Sequence, residues 1–340
     1  MPIERAVPQC PSMRWVRKCA QLAVAALAMA SLPLYAFDMQ SHRGGRGLLP
    51  ENTLAAFENA IRMGTTTIEL DIAITSDGIP VISHDPALNP AYTRDANGQW
   101  LTRHEPLIKN MTLAEVQTYD IGRLNPAHPY GREFPEQQPR DGQRIPALAS
   151  LFKLVADMGA NDVHFDIETK INPRHPNNTL PPEAFVETLL KVIRDAGLTR
   201  RVMVQSFDWR TLEILHRLEP DIRTMYLTVE WDDFNTVRDP AWTAGHSIQQ
   251  FKDSVPHMVR ASAGNAEGII WAPNFKNLTP ELTKTAKSLG LQVIPWTVND
   301  KPQMQRMLGF GVDGIISDYP NRLREVMAEK GMPLPKGVQR

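Results

Sequence analysis

Thr67-Ile68-Glu69-Leu70-Asp71-Ile72 and, much further on, Phe165-Asp166-Ile167-Glu168-Thr169-Lys170 are short apolar runs interrupted by charge at every second position. On a β-strand such alternation sends the charged residues to one face, with Glu69 and Asp71 roughly 6.6 Å apart along the strand. A carboxylate-bearing face inside an otherwise hydrophobic run needs a reason. In a (β/α)8 barrel the strand ends converge on one mouth, so acids distant in sequence can serve a single ligand.

The rest of the chain supports that reading. Strands are predicted at 37–43, 66–75, 163–170, 201–207, 222–228, 267–272, 291–297 and 313–318, making eight. Helices are predicted at 53–63, 147–159, 183–196, 209–218, 253–260, 279–289, 301–308 and 320–330. Such alternation of β and α indicates a parallel sheet. Thr53, Asp208 and Thr279 stand where helix caps belong, and Pro280 follows at the favoured first helical position. An open doubly wound sheet fits the alternation too, but eight strands with polar residues after the first three favour the closed TIM (β/α)8 barrel.

Residues 86–146 break the pattern. They are rich in Pro, Gly, Arg and Asn, with one short helix candidate at 112–119. A structureless loop of that length is rare in a compact domain, so the segment reads as an insertion after the second strand, lying over the barrel mouth. Its bland alternative is a solvent-exposed decoration.

The N-terminus has a different composition. Arg14, Arg17 and Lys18 precede an Ala-, Leu- and Val-rich run from Cys19 to Leu34, the arrangement of a secretory signal peptide. Residues 1–36 are expected to be removed, leaving 37–340 as a periplasmic or secreted barrel domain. Met13 is an alternative start, and Ala28-X-Ala30 an alternative cleavage site. The apolar stretch is shorter than the ~20 residues of a spanning helix, so no stable membrane span is expected in the mature chain. Both cysteines, Cys10 and Cys19, fall in the leader, which excludes thiol and disulfide chemistry beyond it. After its loss 33 Lys+Arg face 37 Asp+Glu, a net charge of −4. Nothing there points to a nucleic-acid partner.

Two anions on one buried face call for a cation. Glu69 and Asp71, joined by Glu168 from the next strand, offer oxygen ligands to one divalent ion, Ca²⁺ or Mg²⁺. Asp166 lies deeper and ranks below them as a ligand. His42 and His84 end short runs at neighbouring rims and suit a general acid and a general base, with metal ligation as the competing role. Asp85 either orients an imidazole or caps the turn before Pro86. Arg43 and Lys170 are placed to meet phosphate oxygens. Trp296, in Pro295-Trp296-Thr297, either packs against substrate or belongs to the core.

In order, His42-Arg43-Gly44, Glu51-Asn52-Thr53, Glu69-X-Asp71, His84-Asp85 and Glu168-X-Lys170, with the Gly311-Val312-Asp313-Gly314-Ile315-Ile316-Ser317-Asp318 ending, make the chain resemble the glycerophosphodiester phosphodiesterase family, in its secreted bacterial type. The resemblance spans essentially the whole predicted mature chain. It implies a TIM-barrel hydrolase that cleaves glycerophosphodiesters, the deacylated phospholipid headgroups, to sn-glycerol 3-phosphate and an alcohol. Position by position, Glu69, Asp71 and Glu168 match the family's metal ligands. His42 and His84 match its acid–base pair, and Arg43 and Lys170 its phosphate contacts. Two rivals remain open: a sphingomyelinase D-like phospholipase acting on acylated lipids, and a non-catalytic glycerophosphodiester-binding protein. The headgroup, the choice of histidine for each proton, a cyclic intermediate and the oligomeric state are not specified.

Overall fold

The computed structural model describes residues 37–338. The predicted leader, its cleavage site and both cysteines lie outside them.

Among the described residues are nine strands and nine α-helices, mostly in alternation. The strands are β1 (Asp38–Ser41), β2 (Thr67–Ile74), β3 (Pro80–Ile82), β4 (His164–Thr169), β5 (Val202–Ser206), β6 (Arg223–Thr228), β7 (Ile270–Pro273), β8 (Gln292–Val293) and β9 (Gly314–Ser317). All but β3 are parallel, in the order β8-β7-β6-β5-β4-β2-β1-β9. The two ends of that path meet through backbone bonds from Asp313 N–H to the Val293 carbonyl (2.8 Å), from Ile316 N–H to Pro295 (3.1 Å) and from Val298 N–H to Ile316 (3.0 Å). The sheet thus closes into an eight-stranded TIM barrel.

The helices are α1 (Leu54–Met63), α2 (Leu113–Val116), α3 (Leu148–Asp157), α4 (Pro182–Asp195), α5 (Trp209–Leu218), α6 (Val255–Ala263), α7 (Pro280–Ser288), α8 (Lys301–Gly309) and α9 (Pro320–Glu329). Thr53, Asp208 and Thr279 cap α1, α5 and α7, accepting from Ala56 N–H, Arg210 N–H and Leu282 N–H; each satisfies an otherwise unpaired helix amide. Gly64 ends α1 at φ 87°, where a Cβ would sit 2.6 Å from the Pro335 carbonyl oxygen. Among the described residues no helix is long and apolar enough to cross a membrane.

Three departures from the sequence reading have local causes. The 291–297 strand is formally only Gln292–Val293, because Pro295 has no N–H to continue the ladder, although Ile294 and Trp296 N–H still bond to β7. The first strand stops at Ser41, where the chain turns sharply through His42–Gly44. The hairpin partner of β2, β3, is a ninth strand; it pairs antiparallel, Ile72 with Ile82.

Hydrophobic side chains segregate into three clusters. The largest, including Phe57, Ile68, Phe165, Trp209 and Leu323, lies between the strands and the surrounding helices. A second, of Met203, Met225, Leu227, Ile270, Ile294 and Ile316, fills one side of the barrel interior. The third includes Leu88, Tyr92, Ile108, Val116 and Ile145 and gives the 86–146 segment a core of its own. The far end of that segment is fastened to β3, just before its start, where Ile82 N–H bonds the Pro146 carbonyl at 2.8 Å.

Candidate active site

Strand register builds the acidic face. Glu69 is aligned with Asp166, and Asp71 with Glu168, so four carboxylates stand on neighbouring strands in two layers. Gln205 of β5 reaches past β4 to donate to Glu69 Oε1 at 2.7 Å, which places these side chains inside the barrel. One oxygen from each of Glu69, Asp71 and Glu168 can be chosen so that all three lie within 4.8 Å of one another. Asp166 lies level with Glu69 and one layer below Glu168 on its own strand, and is not part of that trio.

Three consecutive residues before α1 each have a separate task. Glu51 accepts from Arg43 Nη1 at 2.7 Å. Asn52, at φ 56°, donates to Asp71 Oδ2 at 2.9 Å; asparagine is one of the few side chains that adopts the left-handed region readily. Thr53 then caps the helix. The His42-Arg43-Gly44 turn is equally specific. Arg43 is itself left-handed at φ 51°, which turns its backbone N–H onto Glu69 Oε2 at 2.7 Å. Gly44 follows at φ 80°, and a Cβ there would lie 2.9 Å from both Ala56 and Phe57. Only glycine lets the turn approach α1 this closely.

Each histidine has a carboxylate behind it. His42 Nδ1 is 2.6 Å from Asp318 Oδ1, and His84 Nδ1 is 3.2 Å from Asp85 Oδ1. With Nδ1–H directed at the carboxylate, Nε2 is the ring nitrogen left available; in His42 it lies 3.9 Å from Glu69 Oε2. Asp318 is in turn bonded by Arg46 Nε and Asn299 Nδ2, both at 2.7 Å.

Charge and burial set the protonation states. Burial pushes the His42 imidazole down to about 4, against the pull of Asp318. Burial and the nearby cations Arg43 and Lys170 also lower His84, so both rings are neutral near pH 7. Glu69 is driven well above the usual carboxylate range by burial and by Asp71, Asp166 and Glu168. Burial raises Glu168 to about 7, although Lys170, bonded to it at 2.8 Å, works the other way. Asp71 also suffers burial, but the charges of Arg43 and Lys170 and the Asn52 hydrogen bond outweigh it and hold it ionised.

His42, Arg43, His84, Glu168, Lys170 and Trp296 line one cavity of about 110 Å³, with Glu69 and Asp71 buried close by. Every candidate residue from the sequence is therefore gathered at one end of the barrel. Trp296 stands on the wall, edge-on to Phe207 with centroids 5.4 Å apart, and its indole N–H bonds the Ala272 carbonyl at 2.9 Å. Asp318, Arg46, Gln205, Asn299 and Phe207 were not singled out from the sequence. Asp318 had a readable signal: it ends the Gly311–Asp318 motif, an acid just beyond β9, though the motif alone gives it no role.

The donor set accommodates a divalent cation. Three carboxylates converge, and Asp71 Oδ1, fully buried, has no hydrogen-bond partner, with Lys170 Nζ no nearer than 3.8 Å. Such an orphaned anionic oxygen is costly unless a cation meets it.

A parallel βα barrel with acids, imidazoles and cations around one small mouth defines a barrel enzyme of phosphate-ester chemistry. Residues 42–322 match the model of the glycerophosphoryl diester phosphodiesterase family, and the chain belongs to that family as a phosphoric diester hydrolase. A glycerophosphodiester phosphodiesterase of Caldanaerobacter subterraneus subsp. tengcongensis is 30% identical over 291 residues, which cover 86% of this chain and 98% of the relative. A crystal structure of a candidate glycerophosphoryl diester phosphodiesterase from Silicibacter pomeroyi superposes with a TM-score of 0.78 at 34% identity, covering 87% and 94% of the two chains. The fold is also that of an Oleispira antarctica phosphodiesterase solved with sn-glycerol-3-phosphate, at TM-score 0.59 and 21% identity over 86% and 96% of the chains.

Proposed function

We propose that the chain hydrolyses glycerophosphodiesters to sn-glycerol 3-phosphate and an alcohol, with one divalent cation held by Glu69, Asp71 and Glu168. The observation that carries this reading is the convergence of three carboxylates, two carboxylate-backed imidazoles and two cations on one cavity. When bound, the cation would neutralise the diester and stabilise charge growing on phosphorus. Arg43 and Lys170 bind and orient the phosphate oxygens, with Arg43 braced by Glu51 and Lys170 by Glu168. Of the two imidazoles, one removes a proton from the attacking hydroxyl or water at Nε2, and the other delivers a proton to the departing alcohol oxygen. Phe207, Leu227 and Trp296 give the cavity an apolar wall suited to carbon-bound hydrogens of glycerol.

Three hard oxygen donors suit Ca²⁺ or Mg²⁺; export through the residues 1–36 leader, part of the same proposal, favours Ca²⁺. A second reading, an acylated substrate, draws on Trp231, 41% exposed and tilted against Trp296 at 6.3 Å. The test is release of glycerol 3-phosphate from glycerophosphocholine by the chain beginning at Phe37, with Ca²⁺, Mg²⁺ or chelator, beside His42→Ala. Metal-dependent release lost in the variant is expected. No release with either ion, together with turnover of lysophosphatidylcholine, would move the assignment to acylated lipids. For export, full-length protein retained in the cytosolic fraction would overturn the leader.

A further inference from the structure

The 86–146 segment touches the site at more points than a cover requires. Tyr130 accepts a hydrogen bond from Arg46 Nη1 at 2.8 Å and donates one to Glu51. Arg46 is the residue that bonds Asp318, the partner of His42, and Glu51 is the brace of Arg43. One phenol therefore joins the network behind His42 to the one behind Arg43. Arg46 also lies over the Phe134 ring at 4.8 Å. On the other side, Asp85, the partner of His84, accepts from Asn89 Nδ2 at 2.6 Å and from the Tyr92 hydroxyl at 3.2 Å.

These donors stand on rigid ground. Tyr92 belongs to the segment's own core. Tyr130 is wedged between Tyr92, at 6.3 Å, and Phe134, edge-on at 5.4 Å. Arg94 ties the segment internally through Asp120 at 2.6 Å. A side chain locked by packing passes that order to the group it bonds, and misplacement of a catalytic group by about 1 Å costs on the order of a hundredfold.

We propose that the insertion is the positioning element for both imidazoles: Tyr130 sets His42 through Arg46 and Asp318, and Tyr92 with Asn89 sets His84 through Asp85. This rests on the reading that His42 and His84 move the protons. The two arms share no hydrogen bond, so deleting one hydroxyl cuts a different half of the proton chemistry from deleting the other. The arm behind the proton donor matters only when the leaving alcohol needs a proton.

Tyr130→Phe and Tyr92→Phe each delete a single hydroxyl, and Tyr119→Phe, in the same segment, serves as control. All would be assayed with glycerophosphocholine and with the 4-nitrophenyl glycerophosphodiester, whose phenolate departs unprotonated. Expected are a fall in kcat of about tenfold or more on glycerophosphocholine for both arm variants, KM within about twofold for Tyr92→Phe, no change for Tyr119→Phe, and recovery of kcat on the nitrophenyl diester by one arm variant only. That variant names the histidine acting as acid. Equal kcat in all four proteins, equal loss in the control, or recovery by neither variant would overturn the proposal. A readout independent of turnover is the proton NMR signal of each imidazole Nδ1–H. Tyr130→Phe should perturb the His42 signal and Tyr92→Phe the His84 signal, and unperturbed signals would sink the proposal even if no diester tested proved to be a substrate.

Discussion

The barrel interior has two unlike halves. On β1, β2 and β4 it presents Gln40, Glu69, Asp71, Asp166 and Glu168, all buried. On β5 to β9 it presents Met203, Met225, Leu227, Ile270, Ala272, Ile294 and Ile316, equally buried. Both halves occupy the same geometric layers of one closed sheet. The apolar half gains free energy by leaving water. The acidic half gives it up: Asp166 is fully buried with both carboxylate oxygens unpartnered, and Glu69 is crowded by three other carboxylates. Stability is thus stored on one side of the barrel and spent on the other, the trade expected where catalysis needs a strained charge distribution.

The sharpest way to break this comparison is Glu69→Gln, which keeps an acceptor for Arg43 N–H but removes one carboxylate oxygen from the converging trio. Activity should fall by about a thousandfold or more, equivalent to ~4 kcal/mol, while the melting temperature measured with chelator stays level or rises. A melting temperature several degrees lower would mean the acidic half contributes stability after all. Met225→Ala, in the other half, should do the reverse: a loss of ~2–5 kcal/mol in urea unfolding, with activity per folded molecule largely kept.

A smaller effect tests the protonation states. The buried His42 takes up a proton less readily in the folded protein than in the unfolded chain, where its pKa is about 6.5. Acidification from about pH 6.5 to about 4 therefore favours unfolding, by at most ~1.4 kcal/mol per pH unit from this one group. His42→Gln should flatten that stretch of the stability profile, and an unchanged slope would show that the ring is not neutral in the fold. The smallest effect belongs outside the barrel: Lys153→Ala removes an exposed i,i+4 pair with Asp157 on α3 and should change stability by under ~0.5 kcal/mol.

Much of this was legible in the amino-acid order. Strands β1, β2 and β4 to β9 and the helices around them follow from local periodicity and caps. Glu69, Asp71, Glu168 and Lys170 stand out because a charge inside an apolar run contradicts its neighbours. What stayed hidden are contacts between distant residues. Asp318 meets His42 across 276 positions of chain, and Arg46 meets Tyr130 across 84; no short window contains either pair. Glu51-Asn52-Thr53 was visible as a triplet, yet its division of labour depends on a left-handed backbone at Asn52 that only the folded chain displays. The compact core inside 86–146 was hidden by its Pro- and Gly-rich composition, which reads as loop.

The bond between Ile82 and Pro146 has an evolutionary corollary. With its far end pinned beside the strand that leads into it, the 86–146 segment is a cassette that can lengthen, shorten or be exchanged at little cost to the barrel, since closure entropy grows only slowly with loop length. Yet Tyr92 and Tyr130 travel with it. On the proposal that they align the histidines, a lineage that replaced the cassette to suit a new alcohol would inherit a detuned pair in the same event and would have to restore their alignment before the new preference was of use.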